Sequence, residues 1–403
     1  MKKLLLIIFT FFAFVFVGCN GQSTLEETTP TPTTQVQTTE LETSVPTTVL
    51  PTTVLTTMPP TTASPEWHIA LITDGGPIND RAFNESLWIG IKAFAEENEI
   101  AHTYFIPNEP ALRVYEETIH QAIKDGANII VTPGFLFESL VYDLQFEYPD
   151  IIFLLIDGQP HSEDFSSYMT TDNTTSVLFK EEQAGFLAGY AAVAEGYTNL
   201  GFMGGLSVPP IQRYGIGYIA GAYYAANELG YSISFPADRY AYLGSFVPDS
   251  TYTAQAIDWY MNGTDIIFTV AGGAGISVMV AAEDQGGQVI GVEVDLAFVS
   301  ETVVTSAVKL LSNVVQQELN NIINEDHTHG GSDLLKGIEE DAIGLALGES
   351  FRFNNFTEND YQTILNDIKN QDIIVPNTID DLLDFLEVYA GNPSIQDLIG
   401  QIE

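Results

Sequence analysis

Asp74, Asp80, Phe83 and Asn84 place two carboxylates, an aromatic ring and an amide within one short stretch, DGGPINDRAFN. Ionised carboxylates only accept hydrogen bonds, an amide both donates and accepts, and a ring offers a flat apolar face. The set fits a ligand with a flat face and hydroxyl or amine donors. The competing chemistry is hydrolysis, with Asp74, Asp157 and Asp295 as candidate general acid and base. Against it stand the absence of a G-x-S-x-G elbow, of a cysteine nucleophile and of a convincing metal cluster. His327 and His329, two histidines in a glycine-containing segment, are a weak metal signal and read as a solvated loop. No catalytic residue, metal or cofactor is assigned.

The elements that must position these groups follow from hydrophobic pattern. Ile69 to Thr73 is an apolar run too short for a helix and stopped by Asp74-Gly75-Gly76-Pro77, hence a buried strand. Phe83, Leu87, Ile91 and Phe94 then recur on one helical face. The polar cluster therefore sits at the carboxyl end of the first strand, where ligands bind in open α/β sheets. Further strands are expected at 101–106, 128–132, 151–156, 167–170, 199–203, 265–270 and 342–347. Helices are expected at 111–124, 136–146, 179–196, 309–323 and 358–370. Alternating strands and helices with apolar strands predict an α/β fold with parallel sheets flanked by helices. Asp157, at the end of one strand, is a second rim carboxylate. Ala271-Gly272-Gly273-Ala274-Gly275 opens a helix and lets backbone approach a ligand, but it is neither a dinucleotide nor a P-loop motif.

Several segments resemble the basic membrane protein (BMP) family, lipid-anchored solute-binding proteins of ABC transporters whose known members bind purine nucleosides. They are DGGPINDRAFNES (74–86), NIIVTPGFLFESL (128–140), PDIIFLLIDG, KEEQAGFLAG (180–189), PPIQRYGIGYIAGA (209–222), YAYLGSFVPD (240–249), AGGAG, QVIGVEVD (288–295) and VVTSAVK (303–309). The resemblance implies a two-lobed type I periplasmic-binding-protein fold and a site made of Asp74, Phe83, Asn84, Asp157, Tyr214, Phe246, Gly272, Gly273, Glu293, Asp295 and Lys309. A purine would stack between Phe83 and Phe246, Asn84 would pair with its edge, Asp157 would accept from ribose hydroxyls or a purine amine, and Lys309 would donate to a ribose oxygen or a purine nitrogen. Tyr214 stands where the family tends to have Phe, Glu293 replaces an Asp, and one extra residue separates Phe246 from Asp249. The KEEQAGFLAG segment, rich in small residues, reads as a structural helix. The implied function is capture of a purine nucleoside and delivery to an ABC permease, without covalent change. The alternatives are an extracellular nucleoside hydrolase and a ligand sensor without a transport role.

Composition narrows the partners. The chain of 403 residues carries 54 acidic against 13 basic side chains, a formal net charge of −41, which excludes nucleic acid and disfavours phosphorylated ligands. A basic start, an apolar core over 4–17 and Gly18 before the single Cys19 read as a secretion signal ending in a lipidation site. The Thr- and Pro-rich stretch after it reads as an extended tether that cannot bury a core. The expected organisation is a signal peptide (1–18), a lipidated tether (19–66), an N-terminal lobe (67–172 with 298–330), a C-terminal lobe (173–297 with 331–388) and a tail (389–403). Chain crossings between lobes are expected near 170–175, 296–300 and 330–342. The protein is expected to be a monomer on the outer face of a bacterial cell membrane.

Overall fold

The computed structural model describes residues 66–391, 393 and 395–402. The signal, Cys19 and the tether lie outside the described residues. The first sheet takes β1 (His68–Ile72), β2 (Ala101–Phe105), β3 (Ile129–Pro133), β4 (Ile152–Ile156) and β5 (Thr174–Phe179). The second takes β6 (Leu200–Gly204), β7 (Tyr240–Tyr242), β8 (Ile266–Val270), β9 (Gln288–Glu293) and β10 (Val303–Lys309). Then β11 (Ser332–Lys336) returns to the first sheet and β12 (Ile343–Leu345) to the second. The orders are β11-β5-β4-β3-β1-β2 and β12-β10-β9-β8-β6-β7, the same arrangement twice. All pairings are parallel except β10 with β12.

Helices cover both faces of each sheet, which is why central strands such as IIVTP and IIFTV are buried throughout rather than alternating. In chain order they are α1 (Phe83–Glu97), α2 (Leu112–Lys124), α3 (Glu138–Glu147), α4 (Glu181–Glu195), α5 (Pro209–Leu229), α6 (Ser250–Met261), α7 (Gly275–Gln285), α8 (Leu311–Asn324), α9 (Glu358–Lys369), α10 (Ile379–Tyr389) and α11 (Gln396–Ile399). On α1 the buried positions include Leu87, Ile91 and Phe94, the stripe that the sequence pattern predicts.

Pairing moves the expected lobe boundaries. Residues 174–179 belong to the first sheet, because β5 bonds to β4 with Phe153 opposite Thr174 and to β11 with Lys336 opposite Phe179. Residues 303–309 belong to the second sheet through β9 and β12, and 332–336 to the first. The chain therefore crosses just after Phe179, just after Lys309 and between β11 and β12. Residues 167–170, expected as a strand, form a loop with a single bridge from His161 to Tyr168. A strand's apolar pattern does not say which sheet it joins; hydrogen-bond partners do.

The second lobe is held by a close helix pair. A Cβ added to Gly185 or Gly189 of α4 would lie 2.2 Å from the carbonyl oxygens of Tyr214 and Tyr218 on α5. On α5, a Cβ on Gly217 or Gly221 would lie 1.9 or 2.0 Å from the carbonyl oxygens of Glu182 and Phe186. The small residues read as a structural helix thus set a backbone-to-backbone contact. The expected tail is integrated: Ile395, Leu398 and Ile402 are buried, and the Ile402 carbonyl accepts from Tyr242 Oη (3.1 Å) and Gln212 Nε2 (3.2 Å).

Gly189→Ala would place a methyl against the Tyr218 carbonyl and is expected to lower stability by about 1–3 kcal/mol, the size of an overpacked core. Elsewhere in a helix the same change would stabilise by up to about 1 kcal/mol. The denaturant midpoint distinguishes the two signs.

Candidate ligand site between the lobes

Lys309, the last residue of β10, is the point where the lobes meet. Its side chain is 1% exposed, and Nζ donates to both carboxylate oxygens of Asp157, at 2.8 and 2.7 Å. Carboxylate oxygens of Glu181 and Glu293 each lie 3.6 Å away, and the Phe179 ring centroid lies 5.1 Å away. Burial alone would push the ammonium down, but Asp157, Tyr214, Glu293 and Glu181 outweigh it and hold Lys309 well above its ordinary value. The lysine is thus held in its charged form by the carboxylates around it. Glu293 is part-exposed by surface area yet densely surrounded by protein. Desolvation raises it, Lys309 opposes the rise, and Asp157 and Glu181 add to it.

Asp157 and Glu293 hold matching places. Asp157 follows β4, Glu293 ends β9, and those strands correspond in the two sheets. Both residues are left-handed, with φ of 65° and 67°. A non-glycine residue held there is strained by about 1–3 kcal/mol and such strain collects at functional sites. Two carboxylates, one from each lobe, therefore face a common ammonium.

The loop after β1 is wired internally. Asn84 is buried, and its Nδ2 donates to Asp74 Oδ1 and to Asp80 Oδ2, both at 2.8 Å. Its Oδ1 accepts from the Asp74 backbone N–H at 3.4 Å. The expected pairing of Asn84 with a purine edge is corrected: its groups are committed to aligning Asp74 and Asp80. Asp80 in turn accepts from the backbone N–H groups of Ala82, Asn84 and Glu85, which starts α1 in place. Phe83 is part-buried against the core at the first turn of α1.

Phe246 occupies the loop beyond β7, is 37% exposed, and lies over glycine. A Cβ on Gly205 would stand 2.3 Å from its ring, and one on Gly272, where φ is 51°, would stand 3.6 Å from it. Its carbonyl accepts from Ala274 N at 2.8 Å. Gly272 and Gly273 were expected to admit a ligand; in the structure the segment they admit is Phe246, and Gly273 faces its carbonyl.

Two further expected residues are placed differently. Tyr214 is buried in the second lobe against Phe268, and its hydroxyl is out of solvent with no hydrogen-bond partner. Expected as a ligand-binding residue, it is instead packed out of solvent, near enough for the Lys309 charge to act on its hydroxyl. Asp295 is exposed and occupied, accepting from Ala297 N (2.9 Å) and Ser350 Oγ (2.5 Å). With Lys309 it lines a groove of about 740 Å³ beside the crossing, together with Ser86 and Ile89 of α1, β12 and Tyr361 of α9. Phe83 and Phe246 do not line that groove. Glu181 and Arg213 are components that sequence reasoning passed over: Arg213 donates to Glu181 Oε2 at 2.8 Å and lies 3.9 Å from Glu182. Their signal was charge inside an otherwise apolar, small-residue helix pair. His327 and His329, expected as a solvated loop, are bonded to Thr175 Oγ1 (2.9 Å) and Glu318 (2.8 Å). Among the described residues no group of three or more His, Cys, Asp or Glu is placed to hold a metal.

Two sheets of corresponding strand order, joined by three crossings with polar groups from both rims gathered there, define the two-lobed α/β fold of periplasmic binding proteins. Solved structures agree in fold. An ABC transporter solute-binding protein from Aeropyrum pernix K1 superposes with a TM-score of 0.61 at 19% identity, covering 83% of this chain and 99% of that one. One from Conexibacter woesei gives 0.61 at 18%, covering 77% and 99%. The chain belongs to the Bmp family, ABC transporter substrate-binding proteins described as PnrA-like, which matches residues 68–379. Similar relatives include basic membrane protein A1 of Borrelia garinii subsp. bavariensis, 26% identical over 93% of this chain and 96% of that protein. Another is the ABC transporter nucleoside-binding protein BmpA of Lactococcus lactis subsp. cremoris, 26% identical over 69% and 81%.

Glu182, buried near Arg213 with Oε2 lacking a hydrogen-bond partner, is pushed up to about 7, chiefly by burial. An acid raised on folding binds a proton that the unfolded chain releases near 4.5. Its contribution to stability therefore falls as pH rises across that window and is most unfavourable above it. Glu182→Gln should match wild type near pH 4 and gain up to about 3 kcal/mol near pH 8. Melting curves at the two pH values test this, and an equal difference at both would show that Glu182 ionises normally.

Proposed function

We propose that this protein is a lipid-anchored substrate-binding protein of an ABC importer, working on the outer face of a bacterial membrane, that closes on a purine nucleoside and hands it unchanged to a permease. Membership of the substrate-binding family supports the class, and the relative named as nucleoside-binding supports the ligand. The observation that carries the reading is the Lys309 cluster. Asp157 and Glu293 present acceptors from opposite lobes around one ammonium, a match for the adjacent hydroxyls of a ribose. A base would lie against Phe246, with Phe83 on the opposite rim, and stacking on one ring contributes about 1–3 kcal/mol. Asp74 is the remaining acceptor for a base amine or a sugar hydroxyl. Gly272 and Gly273 act through Phe246, Asn84 through Asp74, and Asp295 by holding the loop after β9.

Enclosure between lobes provides affinity without bond breaking. A surplus of carboxylates over cations opposes phosphate, so nucleosides rather than nucleotides are the substrate class. No helix among the described residues is long and apolar enough to cross a membrane; anchoring through Cys19 and action as a monomer belong to this proposal.

Guanosine, inosine or adenosine should raise the melting temperature while the corresponding monophosphates leave it nearly unchanged. Phe246→Ala should weaken binding about tenfold or more. Incubation with inosine should release no free hypoxanthine. Stabilisation by nucleotides alone, or appearance of free base, would overturn the reading.

A further inference from the structure

The turn that carries Asp157 is not held by Lys309 alone. It is followed by a loop over 158–173 that folds back on Glu138, the first residue of α3. Glu138 Oε1 accepts from the Gln159 backbone N–H at 2.9 Å, and Oε2 lies 3.0 Å from His161 Nε2. The other ring nitrogen, Nδ1, lies 2.8 Å from the Ser162 carbonyl oxygen. His161 is 6% exposed, and Phe165 stacks on its ring at 4.2 Å with an interplanar angle of 23°.

These distances count protons. A carbonyl oxygen only accepts, so Nδ1 carries a hydrogen. A neutral imidazole has no second one, and its bare Nε2 lone pair would then face a carboxylate oxygen. The pair as built therefore holds one further proton between Nε2 and Glu138. Removing that proton sets two lone pairs against each other in a poorly hydrated place.

We propose that Glu138 and His161 are a proton-dependent positioning pair that holds Asp157 in its left-handed conformation and so presents its carboxylate to Lys309 and to ligand. The backbone around Asp157 is pinned three times in succession: Asp157 N–H to Val177 O at 2.7 Å, Gly158 O from Ser176 Oγ at 2.7 Å, and Gln159 N–H to Glu138. Only the third anchor depends on a titrating group. A Cβ on Gly158 would stand 3.0 Å from Glu138 Cγ, so the carboxylate lies directly against the turn it holds. Asp333 ties the two ends of the loop together, accepting from Gln159 Nε2 (2.7 Å) at the near end and Thr170 Oγ1 (2.5 Å) at the far end.

The charged groups around the pair are consistent with this role. Asp157 raises Glu138, as burial does to a larger extent, while Gln159 N–H and His161 lower it. Asp164, in the loop, is occupied by Ser162 and Ser166. Asp333 is occupied by Gln159 and Thr170, and Lys309 by Asp157. Loss of that proton removes the hydrogen bond between Nε2 and Glu138, so the loop loosens on the alkaline side.

The inference rests on the proposed site for its ligand arm only. In ligand-free protein, hydrogen exchange of the 158–169 amides, corrected for intrinsic rate, should lose about tenfold of its protection between about pH 6 and pH 9. His161→Gln, whose amide donates to Glu138 at any pH, should keep protection flat, and so should Glu138→Gln, whose amide donates to a neutral imidazole. Flat protection in the wild type, or an equal fall in both variants, would overturn the pair. Affinity for whichever nucleoside binds should fall with protection in the wild type alone. Affinity that holds steady while protection falls would overturn the link to Asp157. If no nucleoside binds at all, the functional reading fails while the exchange result stands.

Discussion

A single ammonium, Lys309, buried among carboxylates of both lobes, is the constraint on which the rest of the architecture depends. Its charge is screened from water, so it is stable there only with close partners. Asp157 supplies two hydrogen bonds from the first lobe, while Glu181 and Glu293 stand slightly farther off. Such an ion cluster adds little net stability over a well-packed apolar core, but breaking it leaves several charges uncompensated. Its value is geometric: it ties the end of β10 to the turn after β4 at the place where the chain crosses between lobes. A ligand that bridges Asp157 and Glu293 would report directly on the relation between the lobes.

The second lobe shows how backbone shape serves the same end. Glycines on α4 and α5 bring the helices into contact at four successive points. That closeness sets the first turn of α4, and with it Glu181 and Glu182, against Arg213. Just beyond the carboxyl ends of β6 and β8, Gly205 and Gly272 leave space that the Phe246 ring fills. In both cases a missing side chain positions a larger one, through contact rather than flexibility. The C-terminal residues belong to this scaffold as well, since Ile402 accepts the hydroxyl proton of Tyr242 next to the loop that carries Phe246.

The rim groups were legible to different degrees. Asp157 was readable because it ends an apolar strand, and ligand groups collect at the carboxyl ends of parallel strands. Glu293 and Lys309 came only from the resemblance of QVIGVEVD and VVTSAVK to the family, and Lys309 was expected to open a helix where it in fact ends β10. Asn84 and Tyr214 were readable as nearby residues but not by role. An amide beside two aspartates can point outward or inward, and here it is saturated inward. A tyrosine in a helix of small residues can face the cleft or the sheet, and here it faces the sheet. Glu181 was hidden because a charged residue at the start of a helix ordinarily needs no explanation beyond favourable interaction with the helix N-terminus.

Period, apolar runs and glycine placement are local properties, and they were sufficient for the α/β class and for the strands that end near Asp74 and Asp157, while the strands at 174–179, 288–293, 303–309 and 332–336 were not read from them. Sheet membership is not local. Strands 174–179, 303–309 and 332–336 carry no mark of which lobe they join, because a buried parallel strand reads the same in either sheet. The duplication of one strand order in two sheets is equally invisible in the residues, yet it is what sets Asp157 and Glu293 opposite each other with matching backbone strain. Long-range pairing decided those features, since only a hydrogen-bonded neighbour or an opposite charge brought across the fold can choose among arrangements that local pattern leaves equivalent.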